Sequence, residues 1–387
     1  MTTARFRPTA AEVDAGAIRR NARRLLDAAG EGAQLCAVVK ADGYGHGIVT
    51  AARAALAGGA PWLAVALVEE GIVLREAGVD APVLLLSEPP PSAAPTLVTH
   101  ELTPTVYRAE FLDALEAAAA DGPVRVHVKL DTGMTRVGVA PSDRDELLAR
   151  LAASDRLDVE GVQTHLARAD EPDVTTTTEQ LERFAEGLAA VTAAGLAPRL
   201  VHVANTAATL VHTDAWRAVL AAGAPTAAPL VRTGIGLYGL DAGPQVSALS
   251  HGLEPAMRLV SAVSHVRHVT EGTPVSYGHR WSAPADGWLA TVPIGYADGV
   301  PRTLTGRLDV LHAGRRRPVV GTVTMDQVLV WCGDDMPTFG DEVVLIGTQP
   351  AAEGDGELRI GMEEWAERLG TITYEIATGI SARVPRT

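Results

Sequence analysis

Two lysines are the most informative residues of this 387-residue sequence, because it holds 33 basic residues and only Lys40 and Lys129 are lysine. Arginine supplies charge and paired hydrogen bonds, but it stays protonated and does not form a Schiff base with an aldehyde. A chain that otherwise uses arginine therefore keeps lysine where a primary amine is needed, unless the two are a chance remainder on the surface. The residues around them decide between these interpretations.

The elements that would position these amines are short apolar runs that alternate with stretches of helical period. The runs are LCAVVK (35–40), WLAVAL (62–67), PVLLLS (82–87), LTPTV (102–106), VRVHVKL (124–130), VEGVQTHL (159–166), RLVHVAN (199–205) and LVRTGIG (230–236). Helical segments include 15–29, 47–58, 69–78, 109–120, 143–154 and 176–195. Eight strand–helix units predict an α/β fold with an N-terminal (β/α)8 TIM-like barrel, and a doubly wound sheet is the alternative.

Reactive side chains stand where these runs end, which in a barrel is the end that carries the chemistry. The end positions hold, in chain order, Lys40 and Tyr44, Lys129 and Arg136, His165, Asn205 and Thr206, and Arg232 and Gly234. Each of them alone has an ordinary structural explanation, since a histidine in a strand is more often a core residue than a catalyst. Their shared position at one barrel mouth, which includes both lysines, favours an active site.

The loops after the seventh and eighth runs, ANTAAT and TGIGLYG, have the composition of a phosphate site. The first offers hydroxyls at a helix start, and the second offers small residues that let backbone N–H groups approach an anion. A lysine amine beside a phosphate cradle is what pyridoxal 5'-phosphate needs. The sequence therefore predicts this cofactor.

The sequence pattern changes after about residue 245. There, β-branched runs with Gly/Pro turns replace the helical stretches, and one helical stretch follows near the C-terminus. This pattern predicts a second, mostly β domain. We place the barrel at 10–245 and the β-rich domain at 246–387, with residues 1–9 packing with the second domain.

Composition limits the partners. The net charge of −14 argues against nucleic acid. No apolar run approaches the ~20 residues of a membrane helix, and the N-terminus has no apolar segment typical of a secretory signal. The two cysteines match no metal-ligand spacing. We expect a cytoplasmic protein that binds a small molecule, with no metal and no nucleic-acid or membrane partner.

Nine motifs carry a resemblance to a known family over nearly the whole chain. They are AVVKADGYGHG, VKLDTGMTRVG, THLARAD, HVANTAAT, VRTGIGLYG, VSYGH, PIGYADG, TMDQ and ITYEI. The chain resembles the alanine racemases, and the first motif looks like the family's cofactor-lysine motif. The resemblance implies a barrel with a C-terminal β domain, pyridoxal phosphate, and a homodimer with shared active sites. It also implies interconversion of L- and D-alanine, which supplies D-alanine for cell-wall peptidoglycan.

The resemblance also implies residue roles. Lys40 would bond the cofactor and act as one base, and Tyr277 of the second subunit would be the opposite base. The cofactor-binding set would be Lys40, Tyr44, His165, Asn205, Thr206, Arg232, Gly234, Ile235 and Tyr374. The substrate site and its entrance would comprise Arg136, the backbone at Met325, Tyr277, Tyr296, Asp326, Asp170 and Ile372. Within these sets, Arg232 would face the pyridine nitrogen, and His165 would link Tyr277 to Arg232. Lys129 would carry a carbamate that orients Arg136.

Physical chemistry supports these implied roles. Racemisation removes a proton from one face of the α-carbon and returns one to the other, so two flanking bases are the direct solution. Lysine and tyrosine side chains have reference pKa values of about 10, and cationic neighbours such as Arg136 and Arg232 would favour their basic forms. An arginine at the pyridine nitrogen keeps its own proton, so the nitrogen stays unprotonated and the cofactor ring withdraws electrons less strongly from the α-carbon. This disfavours side reactions.

Two departures and three alternatives stand beside this interpretation. Thr206 replaces the family's usual serine and keeps the hydroxyl, whereas Thr322 replaces an arginine at the outer entrance and makes that entrance less cationic.

The alternatives are a racemase of the same fold that acts on serine or a broader set of amino acids, a non-catalytic pyridoxal-phosphate-binding protein, and a decarboxylase on a similar barrel. The second would lack the β domain with Tyr277, and the third would need a different second-domain motif.

Overall fold

The computed structural model describes residues 6–120, 122–243 and 245–387, and the chain divides into two compact units. One unit is Ala15–Glu254, and the other combines the chain up to Asp14 with Pro255–Thr387.

The strands, in chain order, are β1 (Ala10–Val13), β2 (Gln34–Val38), β3 (Trp62–Val65), β4 (Val83–Leu85), β5 (Leu102–Thr103), β6 (Thr105–Val106), β7 (Val124–Lys129), β8 (Leu157–Gln163), β9 (Leu200–His202), β10 (Ala228–Thr233), β11 (Met257–Ala262), β12 (His265–Val269), β13 (Pro274–Val275), β14 (Trp281–Ser282), β15 (Gly287–Val292), β16 (Asp309–His312), β17 (Arg315–Val320), β18 (Val328–Gly333), β19 (Glu342–Pro350) and β20 (Glu357–Ile360). The helices are α1 (Ala15–Ala29), α2 (Lys40–Tyr44), α3 (Ile48–Ala57), α4 (Val68–Glu76), α5 (Ala94–Thr99), α6 (Ala109–Ala118), α7 (Arg144–Ala152), α8 (Thr175–Ala193), α9 (Thr206–Val211), α10 (Thr213–Gly223), α11 (Met362–Leu369) and α12 (Thr373–Gly379).

The first unit is a parallel barrel whose nine strands pair in the order β5-β4-β3-β2-β10-β9-β8-β7-β6. The first and last strands of that order are the two halves of the predicted run 102–106. They are separated by Pro104, which has no N–H to donate but whose carbonyl accepts from the His127 N–H at 2.9 Å. All eight predicted runs are therefore strands, and the predicted (β/α)8 barrel is confirmed over the doubly wound sheet.

Burial explains why these runs form the barrel. β3 and β4 are buried along their whole length, as expected of parallel strands covered by helices. α1 buries one face at helical spacing and includes Asn21. The Asn21 side chain donates to the Leu237 and Glu254 carbonyls at 3.0 and 2.8 Å, so the barrel's first helix is bonded to its last segment.

The six predicted helical segments correspond to α1, α3, α4, α6, α7 and α8. The start of α9 lies at the helix start expected in the ANTAAT loop, whereas the sequence did not predict α2, α5, α10 and α12. Of these, α2, α5 and α12 have seven residues or fewer, so they are too short to carry a helical period of their own.

The second unit is mostly β, as predicted, with an antiparallel sheet in the order β1-β11-β19-β16-β17-β18-β15-β12 and β20 paired to β19. Its first strand differs from the expected boundaries: we assigned residues 10–14 to the barrel, but β1 pairs with β11 through Ala10↔Val260 to Val13↔Met257. The predicted boundary at 245/246 also lies earlier than the division at Glu254/Pro255. A four-residue strand carries no local signal that identifies a partner so distant in sequence.

Across residues 6–120, 122–243 and 245–387, every helix is too short or too polar to cross a membrane. The same residues contain no group of three or more His, Cys, Asp or Glu side chains placed to hold a metal ion.

Candidate active site

Lys40 and Gly234 follow two neighbouring barrel strands, β2 and β10. Their parallel register pairs Cys36 with Arg232 and Ala37 with Thr233, so both positions lie just beyond the same end of the sheet. Lys40 is partly buried there. Burial, with help from the nearby Arg136, lowers the pKa of the Lys40 amine, while Glu70 opposes that shift.

The residues after Lys40 form a left-handed turn. Ala41, Asp42, Gly43 and Tyr44 have φ values between 51° and 61°, a conformation that costs L-residues roughly 1–2 kcal/mol each. Two acidic side chains hold the turn: Glu70 accepts from the Ala41 N–H at 2.6 Å, and Asp42 accepts from the Ile48 N–H at 2.8 Å. The chain therefore reverses sharply after the amine and directs Tyr44 back into the barrel end.

Tyr44, Thr206 and the backbone after β10 form a tight cradle. The Thr206 hydroxyl accepts from the N–H groups of Gly234 and Gly236 at 3.2 and 3.4 Å. A side chain at Gly234 has no room, because its Cβ would lie 2.3 Å from the Tyr44 hydroxyl oxygen. Asn205 caps α9 by accepting from the Ala208 N–H at 3.0 Å. The Tyr44 and Thr206 hydroxyls can donate to a phosphate, and the two backbone N–H groups, whose bonds to Thr206 are long, lie beside them, so these residues fit the predicted cofactor.

Arg232 is the buried cation of the site, with 4% of its surface exposed. Its guanidinium donates to the Thr164 carbonyl at 2.6 Å and to the His202 carbonyl and Nδ1 at 3.0 Å. His165 Nδ1 lies 3.3 Å from the same guanidinium. Burial lowers the pKa of Arg232 to about 10, which still leaves it charged at neutral pH.

A chain of hydrogen bonds continues from Arg232 through the barrel interior. Arginine has no acceptor, so His202 Nδ1 accepts from Arg232 and His202 Nε2 carries the proton. That proton is donated to His127 Nδ1 at 2.9 Å, which places the His127 proton on Nε2, 3.6 Å from the Glu160 carboxylate. Burial holds the pKa of His202 well below its usual value, with Arg232 adding to the effect. Burial also lowers the pKa of His127.

Gly161 makes room for this chain. A Cβ at Gly161 would lie 2.6 Å from His127 Nδ1, and the β7–β8 register shifts between Val126 and His127. The strand pair is therefore deformed where it accommodates the His127 ring.

Lys129 ends β7 and is 6% exposed. Its ammonium donates to the Leu86 carbonyl at 3.3 Å. Burial, followed by the charges of Arg232, Arg136 and Lys40, lowers the pKa of Lys129 to about 7. A large part of this amine is therefore neutral at physiological pH.

Arg136 lies in a loop that leaves β7 and returns to it, because Leu130 and Val139 form a bridge at its base. Within the loop, the Asp131 carboxylate accepts from the Gly133 and Thr135 N–H groups at 2.9 and 3.0 Å. Arg136 is exposed, and its charge contributes to the lowered pKa values of both lysines and His165.

The structure thus brings ten of the candidates together at or near the barrel end: Lys40, Tyr44, Lys129, Arg136, His165, Asn205, Thr206, Arg232, Gly234 and Ile235. Asp170 lies beyond that end, where a Cβ at Gly243 would meet its carboxylate at 2.4 Å. Sequence reasoning missed Glu70, His127 and His202. His127 lies two residues before Lys129 in β7, so strand alternation could have indicated that both point to the same side.

The remaining candidates belong to the second unit. Four are exposed: Tyr277 by 74%, Met325 by 51%, Ile372 by 52% and Tyr296 by 40%. Tyr296 and Met325 lie on touching loops, since the Tyr296 N–H donates to the Thr324 carbonyl at 2.9 Å. Asp326 accepts from Arg383 at 2.8 Å, and Tyr374 lies in α12, partly buried.

Thr322, which the resemblance placed at the outer entrance, is buried within its own chain. It is 4% exposed, and its hydroxyl donates to the Tyr277 carbonyl at 2.8 Å. The buried hydroxyl is therefore hydrogen-bonded to the adjacent backbone, as a buried polar group requires.

The fold and the site together define the class: a (β/α)8 barrel that places a partly buried lysine amine at the carboxyl ends of its strands, the end that carries the active site in barrel enzymes. Family models agree along the chain. The alanine racemase N-terminal domain matches residues 13–242, and the alanine racemase C-terminal domain matches residues 256–387. The chain belongs to the alanine racemase family.

Individual relatives are similar over their full length. An alanine racemase of Symbiobacterium thermophilum is 44% identical over 98% of this chain and 97% of its own. Another, of Thermobifida fusca, is 44% identical over 97% of this chain and 96% of its own. The crystal structure of the alanine racemase from D-cycloserine-producing Streptomyces lavendulae superimposes with a TM-score of 0.89 at 37% identity, covering 100% of this chain and 97% of that one.

Proposed function

We propose that this chain interconverts L- and D-alanine with pyridoxal 5'-phosphate bound at the barrel end, and that Lys40 and Tyr277 are the two bases. The observation that carries the proposal is a partly buried lysine amine of lowered pKa, just beyond the end of β2, beside the cradle that follows the neighbouring strand β10. Family membership over both domains supports the same reaction.

The cradle residues would hold the cofactor's phosphate: Tyr44, Thr206, Gly234 and Ile235 from the barrel, with Tyr374 from the second unit. Arg232 would face the pyridine nitrogen as a fixed cation, with Asn205 and His165 completing the surroundings. When bound, pyridoxal phosphate withdraws electrons from the α-carbon of an attached amino acid, which makes its proton removable.

Lys40 moves the proton on one face of the α-carbon. Because burial lowers its pKa, a larger fraction of this amine is neutral near pH 7 than in an exposed lysine, and only the neutral amine accepts a proton. Arg136 serves the site twice: its charge disfavours a protonated Lys40, and its guanidinium pairs with the substrate carboxylate.

Tyr277 would move the proton on the opposite face, from the partner subunit of a homodimer. Its 74% exposure leaves the phenol available to another chain. His165 would connect it to Arg232. Met325 through its backbone, with Tyr296, Asp326, Ile372 and Asp170, would line the substrate site and its entrance.

Lys129 would carry a carbamate. Carbon dioxide reacts with a neutral amine, and the pKa of Lys129 is lowered to about 7. The product would be an anion among three cationic side chains, Arg136, Arg232 and Lys40, and could orient Arg136. Arginine offers no such reaction, which answers why this position is lysine.

The product D-alanine would supply cell-wall peptidoglycan, and we place the enzyme in the cytoplasm. Both cysteines, Cys36 and Cys332, are buried with free thiols, which fits a reducing compartment.

The proposal is tested by incubating the purified protein, loaded with pyridoxal phosphate, separately with L-alanine, L-serine and L-lysine. Chiral chromatography then measures each D-enantiomer. We expect D-alanine to form fastest and the reaction to stop at equal amounts of the two enantiomers, with no product from Lys40→Ala. Faster conversion of serine would transfer the proposal to a serine racemase, and no conversion of any substrate would favour a non-catalytic cofactor-binding protein.

The shared site has its own test. Lys40→Ala chains are mixed with Tyr277→Phe chains under conditions in which subunit exchange has been verified. If Tyr277 serves the partner's Lys40, some mixed dimers contain one intact site and activity partly returns. No recovery would place both bases in one chain.

A further inference from the structure

Tyr277 stands on a strained turn. Ser276, the residue before it, has φ 63° and ψ −174°, a region that is essentially confined to glycine. Gly278 and His279 after it also have positive φ values, of 74° and 44°. Because Tyr277 is 74% exposed within its own chain, packing of the ring against that chain is not what fixes this backbone.

Two hydroxyls hold the turn against a neighbouring segment. The Thr322 hydroxyl donates to the Tyr277 carbonyl at 2.8 Å, and the Ser276 hydroxyl donates to the Thr322 carbonyl at 3.0 Å. The two backbones approach so closely that a Cβ at Gly321 would lie 2.6 Å from the Ser276 Cβ. Ser276, Tyr277 and Thr322 therefore form a reciprocal pair of bonds, called here the hydroxyl clamp.

The clamp is a closed local unit. Thr322 is 4% exposed, so water does not compete for its hydroxyl, and the next residue is bonded separately, by the Val323 N–H to the Thr305 hydroxyl at 3.1 Å. The two clamp bonds hold the backbone at the strained Ser276 and at Tyr277 beside it. Strained backbone that the surrounding structure maintains in this way is found at functional sites.

We propose that Thr322 is a positioning residue for Tyr277: its hydroxyl bond fixes the backbone from which the phenol reaches the α-carbon. This inference rests on the proposed function, in which Tyr277 acts on L-alanine. It predicts that loss of the Thr322 hydroxyl impairs one face of the substrate and leaves the Lys40 face unchanged, an asymmetry that general destabilisation does not produce.

The bond itself is tested by NMR on the full-length holoenzyme, with 13C-carbonyl tyrosine and 15N-glycine. Only tyrosines followed by glycine give a signal, and the chain has three such pairs: Tyr44–Gly45, Tyr238–Gly239 and Tyr277–Gly278. Tyr277→Phe identifies the third signal by removing it. In Thr322→Val we expect the Tyr277 carbonyl signal to move upfield, as for a lost hydrogen bond, while the two barrel signals stay in place. An unmoved signal overturns the clamp.

Function is tested by exchange of the α-proton in D2O with each enantiomer. In Thr322→Val, exchange from L-alanine should fall by about 3- to 10-fold, the worth of one hydrogen bond, and exchange from D-alanine should change less than about twofold. Thr322→Ser should restore both values. Thr192→Val is the matched control, because it removes a similar bond, to the Leu188 carbonyl at 3.2 Å, in a barrel helix.

Ser276→Gly supplies a second variant that should fold, since glycine adopts this backbone without strain while losing one of the two clamp bonds. It should weaken L-alanine exchange in the same one-sided way. Equal losses for both enantiomers in Thr322→Val, or no loss, overturn the positioning role while leaving the proposed function intact. If Tyr277→Phe itself shows no one-sided loss, the two-base assignment fails, and the role given to Thr322 fails with it.

Discussion

The two proposed bases, Lys40 and Tyr277, occupy opposite environments. Lys40 is partly enclosed at the barrel end, where burial and the charge of Arg136 lower its pKa. Tyr277 lies on the second unit and exposes 74% of its surface. The first base has its pKa lowered by its own surroundings, and the second lies on a turn that the hydroxyl clamp holds.

Both bases nevertheless share a structural device, since each adjoins backbone with positive φ. The turn after Lys40 is left-handed at five consecutive residues, 41 to 45, and Ser276 before Tyr277 has φ 63°. Carboxylates stabilise the first turn, Glu70 and Asp42, whereas hydroxyls stabilise the second. The comparison shows that the barrel supplies electrostatics as well as position at Lys40, whereas the β-rich unit supplies position at Tyr277; in the proposed dimer, the partner subunit would desolvate the phenol.

Lys40→Ala removes the proposed base on the barrel side and has the largest expected effect. In the proposed mechanism it removes both the covalent anchor and one base, so racemisation should fall by more than the ~10²–10⁴-fold that one general base supplies. Borohydride reduction of the wild-type holoenzyme followed by peptide mapping should place the pyridoxyl group on Lys40. A label on Lys129 instead would assign the anchor to the other lysine.

Gly234→Ala tests the cradle. The new Cβ would lie 2.3 Å from the Tyr44 hydroxyl oxygen, so one of the two must move, at a cost of about 1–3 kcal/mol. Cofactor affinity, measured by absorbance titration of the cofactor-free protein, should fall by about 10- to 100-fold. Gly356→Ala is the control, because its Cβ meets no atom within 4 Å. Unchanged affinity in Gly234→Ala would mean that the phosphate binds elsewhere.

Lys129 should make stability depend on pH in a direction set by its pKa. The pKa is about 7 in the folded chain and 10.5 ordinarily, so between these values the unfolded chain binds a proton that the folded chain has lost. The free energy of unfolding of the wild type, relative to Lys129→Met, should therefore rise as pH rises from about 7 to about 10.5. Urea unfolding in buffer stripped of carbon dioxide measures this difference. A flat difference would show that Lys129 keeps its proton when folded.

Glu160→Gln has the smallest expected effect, because it keeps the shape of the side chain and removes only a charge, which lies 3.6 Å from His127 Nε2 and pairs with Arg199 at 3.4 Å and Arg125 at 3.6 Å. His127 would lose its carboxylate neighbour, and the free energy of unfolding should fall by about 1 kcal/mol. Asp158→Asn is the control: it pairs with the same Arg199 at 2.7 Å but lies at the surface, where a pair contributes about 0–1 kcal/mol. Equal effects of the two variants would mean that the Glu160 carboxylate does not stabilise His127.

Sequence patterns predicted the barrel well because parallel strands are continuous apolar runs and their ends share one edge. That geometry alone placed Lys40, Arg232 and Gly234 together. The hydrogen-bond chain through His127 and His202 was missed, since its existence depends on register and on the space left by Gly161. The clamp at Thr322 was missed for a related reason: a bond between residues 277 and 322 has no local signature, and only the fold shows that the side chain points inward.

The most direct test of the two-base account is α-proton exchange in D2O catalysed by Tyr277→Phe, which removes one hydroxyl and leaves Lys40 in place. Racemisation in both directions should fall by about 10²–10⁴-fold. Exchange should survive for D-alanine, whose proton faces Lys40, and be lost for L-alanine. Equal retention of exchange by both enantiomers would contradict the account and leave Lys40 as a single base that serves both faces.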